Sequence, residues 1–179
     1  MRVRDHLALS AAGAALLSPW AGGSALGLVA GGVLIDADHY VWFCLRQRSL
    51  NPITAVRFFN GANPPQHAET RGLHSPVVLL GVLLASIHRR SVLPVALGMS
   101  LHVALDLHHR ARMDKARAAA LVRDGFSCQA CGSQAPQVDT HLRRQPLLLP
   151  SYATKNLITL CRPCHEAAHL KARGPGLWT

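Results

Sequence analysis

The chain has 179 residues, with 19 Lys and Arg against 9 Asp and Glu, and a formal net charge of +10. This length allows one ordinary domain or two small ones, and a basic surplus of this size is typical of proteins that bind nucleic acid or an anionic membrane. The five cysteines argue against a secreted disulfide scaffold, because four of them form two CxxC pairs, the spacing of a metal site in a reducing compartment.

The N-terminal half begins with a long uncharged stretch. Residues 7–35 contain no charged side chain and are interrupted once, at residues 18–23, by proline and glycine. Because these residues break helices, the stretch predicts two helices in a hairpin. The next stretch, residues 36–74, is polar and contains Asn51-Pro52 and Asn63-Pro64-Pro65. It predicts loop with one short helix.

Two further apolar runs follow, at residues 75–87 and 91–107, on either side of His88-Arg89-Arg90. All the apolar runs are slightly shorter than the roughly 20 residues of a standard transmembrane helix. A soluble four-helix bundle is therefore the alternative to a membrane bundle. The uncharged stretch at 7–35 favours the membrane, and the positive-inside rule then assigns most arginines to the cytoplasmic side. Arg89 and Arg90 would lie on the other side.

Ionisable residues lie at particular ends of these predicted helices. In a bundle whose helices run up, down, up and down, the starts of odd helices and the ends of even helices share one face. His102 and Asp106 are also four residues apart, which puts both on one side of a helix. Imidazole and carboxylate groups suit zinc, manganese or iron, although each residue alone could equally cap a helix or lie at an interface. We expect seven candidate ligands to converge there: His6, Asp36, Asp38, His39, His74, His102 and Asp106.

Three segments of this half carry a resemblance. Residues 32–39 (GVLIDADH), 71–75 (RGLHS) and 101–106 (LHVALD) resemble the motifs of the bacterial inner-membrane metal-dependent hydrolase family, although Ile35 stands where that family usually has proline. The pairing of His102 with Asp106 is also similar to zinc-dependent phospholipases C. The resemblance implies a Zn²⁺ or Mn²⁺ site at the seven residues. It also implies a bacterial inner (cytoplasmic) membrane location with the C-terminal part in the cytoplasm, the alternative being a cytoplasmic protein.

The second half begins with an alanine-rich segment. Residues 112–122 predict a helix that ends at Arg123-Asp124-Gly125, so we place the domain boundary between residues 110 and 111, giving domains 1–110 and 111–179. The two CxxC pairs follow, and four thiolates satisfy a tetrahedral structural zinc site. Such a site stabilises a module that is too small to bury a sufficient core. The predicted zinc ligands are Cys128, Cys131, Cys161 and Cys164.

The residues around these cysteines carry a second resemblance. Residues 123–132 (RDGFSCQACG), 138–142 (VDTHL) and 156–165 (NLITLCRPCH) resemble the HNH endonuclease family over about residues 112–172. The resemblance implies a ββα-metal fold that hydrolyses DNA phosphodiester bonds with Mg²⁺ or another divalent metal. His141 is then the general base, Asn156 orients it and braces the loop, and His165 binds the catalytic metal. His169, one helical turn later, is a second ligand or a phosphate contact.

Thr140 departs from the pattern of that family. The family normally has Asp or His immediately before the base, as a metal ligand, and this chain has Thr140. Asp139 stands one residue earlier, and on a strand we expect it to point to the opposite face unless a bulge returns it to the site as a ligand. Without it, the metal has His165, His169 and water. The alternative is then a zinc domain that binds DNA without cutting it.

Basic residues surround the motif. They are typical of phosphate contacts that give sequence-independent, salt-sensitive affinity for DNA, although any single one could be ordinary surface charge. Nothing resembles a helix that reads bases, so we expect low sequence specificity. The predicted DNA-binding residues are Arg123, Arg143, Arg144, Lys155 and Arg162.

The sequence therefore predicts a mainly α protein, with an N-terminal four-helix transmembrane bundle followed by a small ββα-metal HNH domain with four-cysteine zinc knuckles. The first functional hypothesis is a membrane-associated endonuclease whose partners are DNA and membrane lipid. The second is a membrane metal-dependent hydrolase of a phosphoester, with an HNH-like domain that only binds nucleic acid. The third is an inactive zinc module that tethers DNA to the membrane.

Overall fold

The computed structural model describes residues 2–59, 71–134, 137–144 and 146–173, with the backbone alone for residues 170–173. The chain is mainly helical and has one two-stranded sheet. It divides into two compact units, Met1–Leu107 and His108–Thr179. The division falls within one long helix, and each unit is described by itself.

The first unit is helical throughout its described part. Short 3₁₀ turns, Gly22–Ala25 and Arg90–Val92, connect two of the helix pairs. The helices are α1 (Val3–Ala21), α2 (Leu26–Leu34), α3 (Ala37–Gln47), α4 (Pro52–Phe59), α5 (Pro76–His88) and the first half of α6 (Leu93–Arg123).

The region between the apolar runs is more helical than the sequence suggested. The four apolar runs lie in α1, α2, α5 and α6, but α3 and α4 occupy most of the described part of residues 36–59, so the prediction of loop there was wrong. Asn51 starts α4, because its Oδ1 accepts hydrogen bonds from the backbone N–H groups of Ile53 (2.9 Å) and Thr54 (3.2 Å). Pro52 then occupies the first helical position, where its missing N–H costs nothing. Residues 63–65, which belong to the predicted loop, lie outside the described residues.

Helix α6 also differs from the prediction, which separated an apolar helix ending at 107 from an alanine-rich helix. It is one helix of 31 residues. No glycine or proline follows Gly98 within it, so nothing in the backbone interrupts its hydrogen bonds. The composition changes from apolar to basic near residue 108, but the helix continues through this point.

Glycines bring α2 into backbone contact with α6 in the first unit. A Cβ atom on Gly31 would overlap the carbonyl oxygen of Val95, and one on Gly98 would overlap the carbonyl oxygen of Leu28. On another side of α2, a Cβ on Gly32 would overlap the Ser10 hydroxyl of α1. Small residues at such crossings allow close helix packing, as is common in membrane bundles. The helices that carry the candidate ligands are therefore held at fixed spacing.

Replacing Gly98 by alanine should destabilise the first unit. The atoms that the new methyl group would meet belong to the backbone of α2, which cannot rotate away, so we expect a loss of about 2 kcal/mol or more in the free energy of unfolding. Gly81→Ala is the matched control, since no described atom lies within 4 Å of its Cβ position, and it should gain about 0.5–1 kcal/mol. Unfolding of both variants in one detergent measures the difference. Equal stabilities would contradict the close crossing.

Many large apolar side chains of the first unit are exposed. Two helical stretches, Val3–Gln47 and Arg90–Arg123, are long and apolar enough to cross a membrane. Only 28% and 22% of their most apolar windows are buried, and side chains such as Leu16, Trp20 and Ile87 are exposed. A soluble helical core would bury most of these positions.

The second unit contains the remainder of α6, strands β1 (Val138–Leu142) and β2 (Leu157–Cys161), and helix α7 (Arg162–Arg173). The strands pair antiparallel, from Val138 opposite Cys161 to Leu142 opposite Leu157. Leu157 packs on Ala116 and Ala120 of α6, and Leu160 packs with Cys128 and Cys161. A two-stranded sheet followed by a helix is the coarse arrangement that the sequence predicted.

Candidate metal centres

The four predicted zinc cysteines lie together. Their Sγ atoms all lie within 4.8 Å of one another, and those of Cys131 and Cys161 are 3.7 Å apart. Tetrahedral zinc with bonds of about 2.3 Å separates its sulfur ligands by about 3.8 Å. The predicted cluster is therefore confirmed, and its geometry suits a metal ion such as zinc.

A tight turn presents the first pair of cysteines. The Gly132 N–H donates to the Cys128 carbonyl (2.8 Å), and the Cys128 N–H donates to the Ser133 carbonyl (2.9 Å). Gly132 has φ +74°, a conformation that glycine adopts without strain. The residue type that follows the CxxC pair is thus required by the turn.

The backbone and the neighbouring thiols shift the pKa values of the cysteines in opposite directions. Burial raises the pKa of Cys128, but backbone N–H groups of Cys161, Ala130 and Cys131 outweigh it and lower the pKa to about 6. Hydrogen bonds with the other three cysteines, Cys161 first, raise the pKa of Cys164 to about 12. One thiolate is stabilised by the backbone, and further ionisation beside it requires compensating positive charge.

Three histidines of the second unit form another cluster. His141 lies on β1, and His165 and His169 are one turn apart on α7. One nitrogen of each lies within 4.8 Å of the others, and the Nε2 atoms of His165 and His169 are 3.1 Å apart. Burial lowers the pKa of His141, and His169 and His165 lower it further. A neutral imidazole at this position suits either a metal ligand or the general base expected for His141.

Asp139 belongs to the same strand face as His141 without the bulge expected as the alternative. The pairing of β1 with β2 is regular at Asp139, Thr140 and His141. Since side chains alternate along a strand, residues 139 and 141 share a face, and Thr140 is buried on the other. The Asp139 carboxylate is exposed, 4.0 Å from His165 Nδ1. The expectation that Asp139 points away from the site was wrong. Asp139 is two residues before His141, so the two side chains lie on the same face of the strand.

Asn156 braces the loop that follows β1. Its Oδ1 accepts from the Arg144 N–H (3.0 Å), and its Nδ2 donates to the Arg144 carbonyl (2.8 Å). Its own carbonyl accepts from the Arg143 N–H (2.8 Å). These bonds match the bracing half of the predicted role. In the described part of the chain, no hydrogen bond joins its side chain to His141, so any influence on that ring passes through the strand end.

The predicted DNA-binding cations have different environments. The Arg123 guanidinium donates to both carboxylate oxygens of Asp124 (2.7 Å each) and to the carbonyls of Thr154 and Leu157. It clamps α6 to β2, which the sequence did not reveal, and these bonds use four of its five N–H groups. Arg162 is exposed and pairs with Glu166. The other three, Arg143, Arg144 and Lys155, line a shallow surface depression.

The seven predicted ligands of the first unit form one contact network. His102 is central to it, because its Nε2 lies 3.5 Å from Asp36 Oδ1 and 3.7 Å from Asp106 Oδ2. Asp106 also contacts His6 Nε2 (3.1 Å), and the rings of His6 and His102 stack at 3.7 Å. Three overlapping sets of ligand atoms result: His6, His102 and Asp106; Asp36, His74 and His102; and Asp38, His39 and His74.

Hydrogen bonds fix the two central imidazoles so that their Nε2 atoms face each other. His102 Nδ1 donates to the Gly32 carbonyl (2.8 Å), and His74 Nδ1 lies 3.2 Å from Asp38 Oδ2. The two Nε2 atoms are 3.2 Å apart. This distance fits a hydrogen bond between a protonated and an unprotonated ring, and it also fits one metal ion, since two nitrogen ligands at about 2.0–2.1 Å from one metal are about 3.0–3.4 Å apart. The site therefore fits a metal ion.

The charges around His74 support this interpretation. Burial lowers the pKa of His74, but hydrogen bonds with Asp36 and Asp38 outweigh it and raise the pKa to about 9. The site thus attracts positive charge at its centre. The Gly32 carbonyl, which orients His102, was not among the predicted site residues. The only sequence signal at this position is the glycine itself, where a Cβ atom would overlap the Ser10 hydroxyl of α1.

Comparison of the chain with protein-family models, with curated proteins and with solved structures finds no match. Both family resemblances therefore depend on the residues quoted for them. The function is argued from the geometry of the three clusters: the four cysteines, the three histidines of the second unit, and the seven-residue network of the first.

Proposed function

We propose that the second unit is an HNH-type endonuclease module that hydrolyses DNA phosphodiester bonds with a divalent metal. The observation that carries the proposal is the convergence of His141, His165 and His169 on one face of a small sheet-and-helix unit that also has a four-cysteine cluster. Histidines four residues apart on a helix, facing a third on a strand, form a ligand set with room for a substrate oxygen and water.

Each residue then has a definite task. His141, His165 and His169 would hold the metal, which supplies positive charge to the phosphate in the transition state. Asp139, exposed beside His165, would accept the proton of the attacking water. Asn156 keeps the end of β1 in position, and Arg162, at the start of the histidine-bearing helix, attracts the DNA backbone. Three imidazoles suit Zn²⁺, Ni²⁺ or Mn²⁺ better than Mg²⁺.

Nicking of supercoiled plasmid by the full chain tests the proposal, with Mg²⁺, Mn²⁺, Ni²⁺ and Zn²⁺ supplied in turn. His165→Ala should lower the nicking rate about a hundredfold or more, because it removes a ligand of the metal. His88→Ala is the control, since that histidine lies at the end of α5, outside all three clusters.

The result also separates the possible roles of His141. As a ligand, its replacement by alanine weakens metal affinity, and excess metal restores part of the rate. As the base, its replacement lowers the rate at every metal concentration. A wild-type chain that binds DNA but nicks with no divalent metal would sink the nuclease proposal and favour a zinc module that only tethers DNA to the membrane.

We propose further that the first unit is embedded in the bacterial inner membrane, with the C-terminal unit in the cytoplasm. The outward-facing apolar side chains and the glycine-mediated crossing of α2 and α6 support this location. A reducing cytoplasm would also keep the four cysteines available for a metal. After cell fractionation the chain should stay in the membrane pellet through a carbonate wash, and recovery in the soluble fraction without detergent would contradict the proposal.

A second candidate function is favoured by the seven-residue network. We infer that the first unit is a metal-dependent hydrolase of a phosphoester-type substrate. Within the network, Gly32 and Asp38 orient the imidazoles of His102 and His74, and Asp36 and Asp106 provide negative charge for Zn²⁺ or Mn²⁺. In this alternative, the second unit serves to bind nucleic acid.

A further inference from the structure

Three leucines of the second unit are exposed side by side. Leu147, Leu148 and Leu149 lie in the connection between β1 and β2, and their exposed fractions are 79%, 53% and 50%. Single exposed leucines are common on soluble proteins, but an exposed apolar group of neighbours usually marks a contact surface. Prolines on both sides, Pro146 and Pro150, restrict the backbone of this connection. We call residues 146–150 the leucine loop.

A cationic depression borders the leucine loop. It is lined by Arg143, Arg144 and Lys155, together with Pro146 of the loop itself, and no acidic residue is among the residues that line it. Asn156 holds the backbone of Arg143 and Arg144 through three hydrogen bonds of 2.8–3.0 Å. The backbones of Arg143 and Arg144 are therefore held at the edge of the depression, next to Pro146 of the loop.

This combination distinguishes between two anionic partners. The phosphates of DNA would satisfy the cations, but DNA offers no apolar surface for three adjacent leucines. An anionic bilayer offers both, because its headgroups carry phosphate and its acyl region begins just beneath them. The same chain has helices apolar enough to enter a membrane, so a bilayer is an available partner.

We propose that the leucine loop and its cationic depression bind the surface of a bilayer that contains anionic phospholipid. The leucines enter the boundary of the acyl region, and Arg143, Arg144 and Lys155 contact headgroup phosphates. This assigns to lipid three cations that the sequence suggested for DNA. The proposal uses none of the histidines of the second unit, and it goes beyond the nuclease function.

Photo-crosslinking in the full chain tests the contact. Leu148→p-benzoylphenylalanine is reconstituted into vesicles that contain phosphatidylglycerol and, separately, into vesicles of phosphatidylcholine alone, and lipid adducts are measured by mass spectrometry after irradiation. The matched control is Gln134→p-benzoylphenylalanine, also exposed on the second unit but away from the loop in sequence. We expect several-fold more adduct at 148 than at 134, and a several-fold fall at 148 in phosphatidylcholine vesicles and on adding R143E and R144E.

Several outcomes would overturn the proposal: no lipid adduct at 148, equal adducts at 148 and 134, or a shift of the adduct from lipid to DNA when a duplex is added. Unchanged zinc content verifies that each variant is folded. Repeating the measurement with His165→Ala separates the lipid contact from nuclease activity. If the chain proves soluble, mixing it with preformed vesicles gives the same readout.

Discussion

Replacing Cys161 by serine is expected to unfold the C-terminal unit and to abolish binding of the metal ion, such as zinc, that the four cysteines could hold. Cys161 ends β2, is buried, and packs against Cys128 and Leu160. Its sulfur is also 3.7 Å from that of Cys131, so it joins the sheet to the metal cluster. Structural zinc provides about 10–16 kcal/mol of apparent binding free energy in small zinc modules, which is as large as the whole stability of an ordinary domain. The variant should lose bound zinc and resistance of residues 108–173 to protease.

Cys44→Ser is the matched control. Cys44 is a half-buried cysteine of α3 in the other unit, outside the cluster, so its replacement should keep both zinc and protease resistance. A strong chelator applied to the wild-type chain should reproduce the Cys161→Ser result. Mass spectrometry measures the zinc content of each variant. A Cys161→Ser chain that keeps its zinc and its protease resistance would show that the sheet does not depend on the four-cysteine site.

The features that sequence predicted best are those set by local geometry. A CxxC pair places two sulfurs on one turn whatever the rest of the fold, and Gly132 supplies the positive φ that the turn needs. The four-residue spacing of His165 and His169 likewise puts both rings on one side of a helix. Such short-range relations are fixed by the backbone. Tertiary packing adds the third histidine, His141, which the pairing of β1 with β2 positions.

The errors concern residues whose meaning depends on context. Asn51-Pro52 indicated loop in the sequence, yet the same dipeptide caps α4 and starts it, because proline is favoured at the first position of a helix. Arg123 was predicted as a phosphate contact, and the structure adds a second role, because four of its five N–H groups bind Asp124 and two carbonyl groups. Only the tertiary structure shows that these carbonyls lie within reach.

The seven predicted ligands of the first unit do lie close together, although the predicted helix topology was incomplete. The prediction used four helices, whereas the described part has six. The residues meet all the same, since His6 comes from α1, and His102 and Asp106 come from α6. Close packing of α2 against both helices, at Gly32 and Gly98, maintains this meeting. Periodicity indicates that helices are apolar, but it does not give the distance at which their backbones cross.

His102→Ala should remove the metal of the first unit while leaving the second unit intact. His102 belongs to two of the three overlapping ligand sets and is 1% exposed. In the alanine variant, a water molecule could take the place of the missing nitrogen ligand only if the surrounding side chains repacked. The chain, loaded with Zn²⁺ or Mn²⁺ and washed, should retain only the metal of the second unit. His102→Asn, which keeps a side-chain donor for the Gly32 carbonyl, tests whether packing alone explains the loss.

Activity provides the second measurement for this variant. In a His165→Ala background, which silences the proposed nuclease site, hydrolysis of bis(p-nitrophenyl) phosphate reports the first unit alone, and it should vanish with His102→Ala and persist with His88→Ala. Unchanged metal content in both His102 variants would mean that a shared proton, and not a metal ion, joins His74 Nε2 to His102 Nε2 across 3.2 Å. Loss of metal with retained folding supports a metal ion held by His102 and its neighbours.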